Sequence, residues 1–358
     1  VGKTSAKEMI ATVLSRSFRT FRNPGNLNSE IGLPLSMLEV PSDTQLGIFE
    51  MAGAWKMGEL ALIAGIGQPK IGVVLNVHPV HLERMGTIER IAESKAELVE
   101  AVPADGVAVL NGDDPRVRAM APLSKGRVLT YGLTPDNDIY ASGVTTLGLE
   151  GSEFWVHIEG RKYFIKIPVI GGHAVELALA AIAVGHALGL HISEMLPGFA
   201  DASTQLRLIV QDGPNGSQIL DDTYNASTPS VLSALSLLDE IGGGRKIAVL
   251  GDMRELGSVS EIEHRKVGRR VGDVADVLFT FGDLAVTIGQ EAAETARLAG
   301  RSLAVTSFTA DQIDEVIRSV RNEVRTGDLV LIKGSRGLEM ERIVQALRPV
   351  DATTEEEL

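Results

Sequence analysis

The 358-residue chain predicts an α/β protein of two domains, the first with a mostly parallel sheet plus a small antiparallel sheet, the second an open α/β domain. Three observations carry this expectation. Short apolar runs alternate with stretches of helical period through the first third of the chain. The texture then changes, over Asp138–Ile170, to short alternating runs punctuated by glycine. A second alternation of strand and helix begins near Arg207.

The elements follow in order. After "GKTS" at Gly2–Ser5, the residues Met9, Ile10, Val13 and Leu14 recur at helical spacing, so a helix follows the glycine. Strands are expected at "LGIFEMA" from Leu46, "IGVVLNV" from Ile71, "GVAVLNG" from Gly106 and "RVLTYGL" from Arg127. A helix is expected over "TIERIAESKAELVEA", between the second and third of these. Strands alternating with helices build a parallel sheet covered by helices. The stretch Asp138–Ile170 reads as short antiparallel strands joined by tight turns. The apolar run Ala174–Leu190 is interrupted by Glu176 and His186 and is too short to span a membrane, so it reads as a buried helix. Further strands are expected at "QILDD" from Gln218, "KIAVLGDM" from Lys246, "VLFTFG" from Val277, "SLAVTSF" from Ser302 and "DLVLIKGS" from Asp328. The boundary falls near Ser203–Arg207, giving domains of 1–204 and 205–358, and the acidic "DATTEEEL" reads as a frayed end.

Composition narrows the function classes. A net charge of −13 argues against a nucleic-acid-binding surface, which needs clustered Lys and Arg to displace counterions. The chain has no cysteine, which excludes disulfides and thiolate metal sites and fits a cytoplasmic setting.

The chemistry-bearing residues sit after strands or before helices. "GKTS" is the tail of the pattern GxxxxGK[ST], in which backbone N–H groups cradle phosphates, Lys reaches the terminal oxygens and Ser or Thr meets Mg²⁺. The tripeptide alone is a weak signal, strengthened by the helix that follows. Glu50 closes an apolar strand, where a carboxylate serves either as a metal ligand or as a solvated strand end. His78 and His81, in "NVHPVHLERMG", read either as ligands or as structural histidines. By period alone, Lys95 reads as a surface lysine on an amphipathic helix. "LDDTYNASTP" is a turn or a substrate contact; "IKGSRGLEM" combines Lys333, Ser335 and Arg336 at a helix start, suited to a carboxylate or phosphate.

Read together, "GKTS", "NPGNLNSEIGLPL", "EMAGAWKMGELA", "HLERMGTIERIAESKAELV", "LNGDDPRV", "DDTYNASTPS", "LGDMRELG" and "KGSRGLEMERIV" resemble, in order and over nearly the whole chain, the Mur ligase family. Within it the match is to the branch that adds D-alanyl-D-alanine to UDP-N-acetylmuramoyl-tripeptide. The resemblance implies a central P-loop-type ATPase domain followed by a Rossmann-like C-terminal domain. It also implies a start inside the phosphate loop, without the family's UDP-sugar domain. It implies a ligase that uses ATP and two Mg²⁺ ions, so Gly2, Lys3, Thr4, Ser5, Asn26, His173, Asp222 and Asn225 are expected at ATP. Thr4, Glu50 and His81 are expected at metal, joined by Lys95 as a carbamate; Lys3, Lys95 and His81 are expected to carry the catalysis. Asn28, Tyr224, Lys333, Ser335 and Arg336 are expected at substrate. The small-molecule partners implied are UDP-MurNAc-tripeptide and D-Ala-D-Ala, with a monomer favoured and no nucleic acid or membrane span.

Three departures accompany the resemblance. Ala174 and Leu177 stand where the family has asparagines, and Gln205 stands where it has an arginine. Losing two neutral hydrogen bonds costs about 2 kcal/mol, or about thirty-fold in affinity. "EMAGAWKMGEL" is also one residue longer than the family's version. A folylpolyglutamate- or cyanophycin-synthase-like ligase, or a nucleotide-binding module without turnover, stays open as an alternative.

Overall fold

The computed structural model describes residues 2–25, 27–53, 56–79, 82–168, 172–201, 209–241 and 244–348. The chain forms two compact units, Val1–Leu206 and Arg207–Leu358.

In the first unit, β1 (Thr20–Arg22) and β2 (Leu46–Ile48) form a small parallel pair. A six-stranded sheet follows in sequence order: β3 (Ile71–Val74), β4 (Val107–Asn111), β5 (Arg127–Gly132), β6 (Ile139–Thr146), β7 (Ser152–Ile158) and β8 (Arg161–Ile167). The first four are parallel and the last two antiparallel. The antiparallel strands continue the parallel sheet through a short β5–β6 contact, Tyr131 opposite Ile139 and Gly132 opposite Tyr140. Packing explains the continuity. Ile139, Phe154, Val156 and Ile165 alternate inward and join one core with helices Lys3–Leu14 and Gly172–Ala187.

Helix Gly172–Ala187 is buried on nearly every side, from Ala174 to Val184, as its all-round apolar composition demands. Among the described residues no helix is long and apolar enough to cross a membrane. Helix Ile192–Asp201 lies so close to Lys3–Leu14 that a Cβ on Gly198 would sit 2.5 Å from Val13 Cα.

The second unit holds β9 (Ile209–Asp212), β10 (Gln218–Asp221), β11 (Lys246–Gly251), β12 (Val277–Phe281), β13 (Ala304–Phe308) and β14 (Leu329–Lys333). Their order is β13-β12-β11-β14-β10-β9, parallel except for β9 at one edge. The direction of winding reverses between β11 and β14, and ligands of open α/β sheets bind beyond the carboxyl ends of strands at such a point. Three adjacent parallel strands, β10, β14 and β11, deliver their carboxyl ends there.

Candidate active site

The first cluster grows from the start of helix Lys3–Leu14. Gly2 caps it with φ +80°, a left-handed conformation glycine adopts without strain, so Lys3, Thr4 and Ser5 occupy the first turn. The unpaired N–H groups of a helix start favour an anion. Thr4 Oγ1 donates to Glu50 Oε2, and Asn28 Nδ2 donates to Glu50 Oε1 at 2.8 Å. The strand before Glu50 stops at Ile48, and the loop beyond is fixed by a residue the sequence reading did not single out. Asn23, fully buried after β1, accepts from Glu50 N–H at 2.9 Å and donates to Leu27 O at 2.8 Å. Lys7 Nζ in turn donates to Asn23 O at 2.6 Å. Asn23 opens the "NPGNLNSEIGLPL" stretch, but its structural role shows only once β1 pairs with β2.

Lys95 corrects the reading from period alone. It is half-buried on helix Ile88–Ala101, and burial lowers its pKa to about 7. The nearby Lys3 charge pushes in the same direction, while Asp114 opposes both. Lys3 and Lys95 therefore belong to one electrostatic neighbourhood. Asp114 also ties this region together, accepting from Val77 N–H at 2.7 Å in the loop after β3 and capping helix Pro115–Arg118.

Asn26 and His81 lie outside the described residues, as do Gln205 and the side chain of His173. Among the described residues no group of three or more His, Asp or Glu side chains converges as a metal site. Ala174 and Leu177 are buried in the core, so their side chains serve packing.

The second cluster lies at the carboxyl ends of β10, β14 and β11. Lys333, only 2% exposed, places Nζ 2.7 Å from Asp222 Oδ2 and donates to Asn225 O at 2.8 Å. Its charge is spent on ordering the 222–225 loop. Ser335 is buried; its N–H donates to Asp252 O at 3.0 Å and its Oγ accepts from Arg254 N–H at 2.9 Å. Arg336 is exposed, its guanidinium 5.2 Å from the ring centre of Tyr224, which is itself exposed. Asn225 Oδ1 accepts from Ala226 N–H at 2.9 Å. A buried, satisfied cation beside an exposed guanidinium leaves Arg336 as the group available to an anionic ligand.

Comparison with known proteins agrees with both units. The Mur ligase middle domain matches residues 1–185, and the Mur ligase glutamate ligase domain matches residues 206–336. The UDP-N-acetylmuramoyl-tripeptide--D-alanyl-D-alanine ligase of Bacillus subtilis is 35% identical over 97% of this chain and 74% of its own length. MurF from Acinetobacter baumannii superposes with a TM-score of 0.84 at 28% identity, over 97% of this chain and 74% of that one. MurF from Thermotoga maritima, solved with ADP, gives 0.81 at 28% identity, over 97% and 77%. With its two units matched in order, the chain belongs to the Mur ligase family.

Proposed function

We propose that this chain is an ATP-dependent amide ligase that joins D-alanyl-D-alanine to UDP-N-acetylmuramoyl-tripeptide in peptidoglycan precursor synthesis. The observation that carries the reading is the meeting of Thr4, Asn28 and Glu50 at the start of the helix that bears Lys3. It stands in a chain 35% identical to a relative named for that activity. ATP use accords with the ADP bound by the Thermotoga relative.

The reaction assigns each cluster a task. The first turn of helix Lys3–Leu14 binds the phosphates through its N–H groups, and Lys3 neutralises charge on the transferred phosphoryl group. The tripeptide carboxylate attacks the γ-phosphorus, releasing ADP and forming an acyl phosphate. The dipeptide amine then attacks the acyl carbon, and phosphate leaves as the amide forms. Arg336 and Ser335 hold the dipeptide carboxylate, while Lys333 acts through the 222–225 loop that carries Tyr224 and Asn225.

The donor set suits magnesium, which takes hard oxygen ligands and keeps places for water and phosphate. Thr4 and Glu50 would hold it, with His81 as a third ligand. When bound, the ion supplies charge neutralisation at the phosphates. Lys95 fits carbamylation, because only a neutral amine adds to carbon dioxide, and a pKa of about 7 keeps a large share of it neutral. The carbamate would present an anion to a second Mg²⁺.

The test is ADP release from a polypeptide of the relatives' full length that contains this chain, with tripeptide substrate and dipeptide supplied together and singly. Release should need both and vanish in Lys3→Ala. Release driven instead by glutamate as acceptor would move the assignment to another branch of the family.

A further inference from the structure

The loop after β11, residues 252–254, connects the elements of the second cluster. Asp252 Oδ1 accepts from Leu284 N–H at 2.9 Å and Ala285 N–H at 2.7 Å, beyond β12. Its carbonyl accepts from Ser335 N–H, and Arg254 N–H donates to Ser335 Oγ. Met253 is fully buried, and its sulfur accepts from Thr228 Oγ1 at 3.7 Å, just past the 222–225 loop. The backbone N–H of Met253 donates to the imidazole of His264, with Nε2 at 3.1 Å.

This geometry fixes the state of His264. A backbone N–H only donates, so Nε2 must be unprotonated; the proton sits on Nδ1, which donates to Ser260 O at 2.8 Å. His264 is 1% exposed on helix Ser260–Val274, leaving water little access to a displaced bond. A second proton, on Nε2, would set one donor against another and release the Met253 N–H.

We propose that His264 is a positioning residue whose neutral imidazole holds the 252–254 loop, and through it Ser335 and Arg336, in the arrangement that binds the dipeptide carboxylate. This rests on the reading of Ser335 and Arg336 given above. Touching no substrate, His264 makes dipeptide affinity dependent on pH. Burial lowers its pKa from the ordinary imidazole range, against the Ser260 carbonyl and the charges of Asp252 and Glu263. Glu263, on the same helix, is paired with Lys266, and the acidic groups of the neighbouring helices are paired too: Glu291 with Arg265 and Arg269, and Asp239 with Arg270 and Lys246. Nothing among these stabilises an imidazolium by a direct bond to Nε2.

The test compares the native chain with His264→Gln, whose amide can accept from Met253 and donate to Ser260 but does not titrate. The Kd of D-alanyl-D-alanine is measured by calorimetry with a non-hydrolysable ATP analogue present, and the His264 midpoint by NMR of its imidazole. The substrate amine titrates identically in both proteins, so their ratio isolates His264. The native Kd should exceed that of His264→Gln increasingly below the midpoint, by about tenfold per pH unit at the limit, and the two should converge above it. By linkage, saturating dipeptide should lower the imidazole midpoint. A ratio that stays constant across the midpoint, with a midpoint blind to dipeptide, overturns the proposal. Should His264→Gln not fold, the midpoint shift in the native chain decides alone. Arg336→Ala and Ser335→Ala separate the two readings: native-like dipeptide binding in both would remove the site assignment itself.

Discussion

Lys333 Nζ stands 2.7 Å from Asp222 Oδ2, joining the ends of two neighbouring parallel strands through a cation that is 2% exposed facing a carboxylate that is 21% exposed. The asymmetry in exposure makes the two halves of the pair unequal. Removing one partner of a buried ion pair costs about 3–5 kcal/mol when the survivor cannot reach water. Asp222→Asn strands the ammonium, whereas Lys333→Met strands a carboxylate that water can still solvate. Asp222→Asn should therefore lower the urea midpoint of the second unit more than Lys333→Met does, and the double variant should recover part of the loss. Equal losses in the two single variants would show that Asn225 O alone suffices for the ammonium.

Lys95 makes a prediction whose sign is fixed by its neighbours. Its folded pKa of about 7 lies below the ordinary 10.5, so folding disfavours the ammonium. The stability it contributes is complete above pH 10.5 and is lost as pH falls towards about 7. Lys95→Met should flatten that slope in carbon-dioxide-free buffer. Asp114 raises the Lys95 pKa and Lys3 lowers it, so Asp114→Asn should shift the onset of carbamylation to lower pH and Lys3→Ala to higher pH. The carbamate signal from ¹³C-labelled bicarbonate reads both shifts, and movement in the opposite sense in either variant would show that other charges govern this amine.

Asn23 supports Glu50 without being a candidate ligand. Its buried carboxamide holds Glu50 N–H and Leu27 O, and removing it leaves the buried Glu50 N–H unpaired at a cost of about 1–3 kcal/mol. Asn23→Ala should lower both thermal stability and nucleotide affinity. Glu50→Gln keeps the backbone bond to Asn23, so it should lower turnover and Mg²⁺ dependence with little change in melting temperature. Matching stability losses in the two variants would argue that Glu50 is structural.

How far the sequence could be read depended on the kind of signal. Periodicity carries the helices Lys3–Leu14 and Ile88–Ala101 and the strands of both large sheets other than β9, because their residues bury one face or both. The short strands β1 and β9 were missed; Thr20–Arg22 and Ile209–Asp212 lie at edges, where little apolar pattern is needed. At the site, Thr4 and Glu50 were legible as residue types in suggestive places, yet their contact spans 46 residues of sequence and needs the fold. Period alone places Lys95 on the polar face of an amphipathic helix, because a repeat counts faces and cannot register Lys3 and Asp114, charges brought near it from distant segments. His264 lies in no quoted motif, and Asn23 only opens one; the roles of both are made by backbone groups from other segments.

Two glycines in helices give opposite expectations that test the packing of the first unit. Gly198 meets Val13 backbone at 2.5 Å, so even one methyl group must push helix Ile192–Asp201 off helix Lys3–Leu14. Backbone cannot move aside as a side-chain tip can, and overpacking of this kind costs about 1–3 kcal/mol. Alanine returns at most about 1 kcal/mol in helix propensity, so Gly198→Ala should destabilise. Gly65, inside helix Glu59–Gly67, has nothing within 4 Å of an added Cβ. There the propensity gain stands alone, and Gly65→Ala should stabilise by about 0.5–1 kcal/mol. Because Gly198 presses on the helix that carries Lys3 and Thr4, its substitution should also weaken nucleotide binding, whereas Gly65→Ala should leave it intact. A pair of thermal melts with nucleotide titrations distinguishes the two, and a stabilising Gly198→Ala would mean that the two helices are not in the contact described.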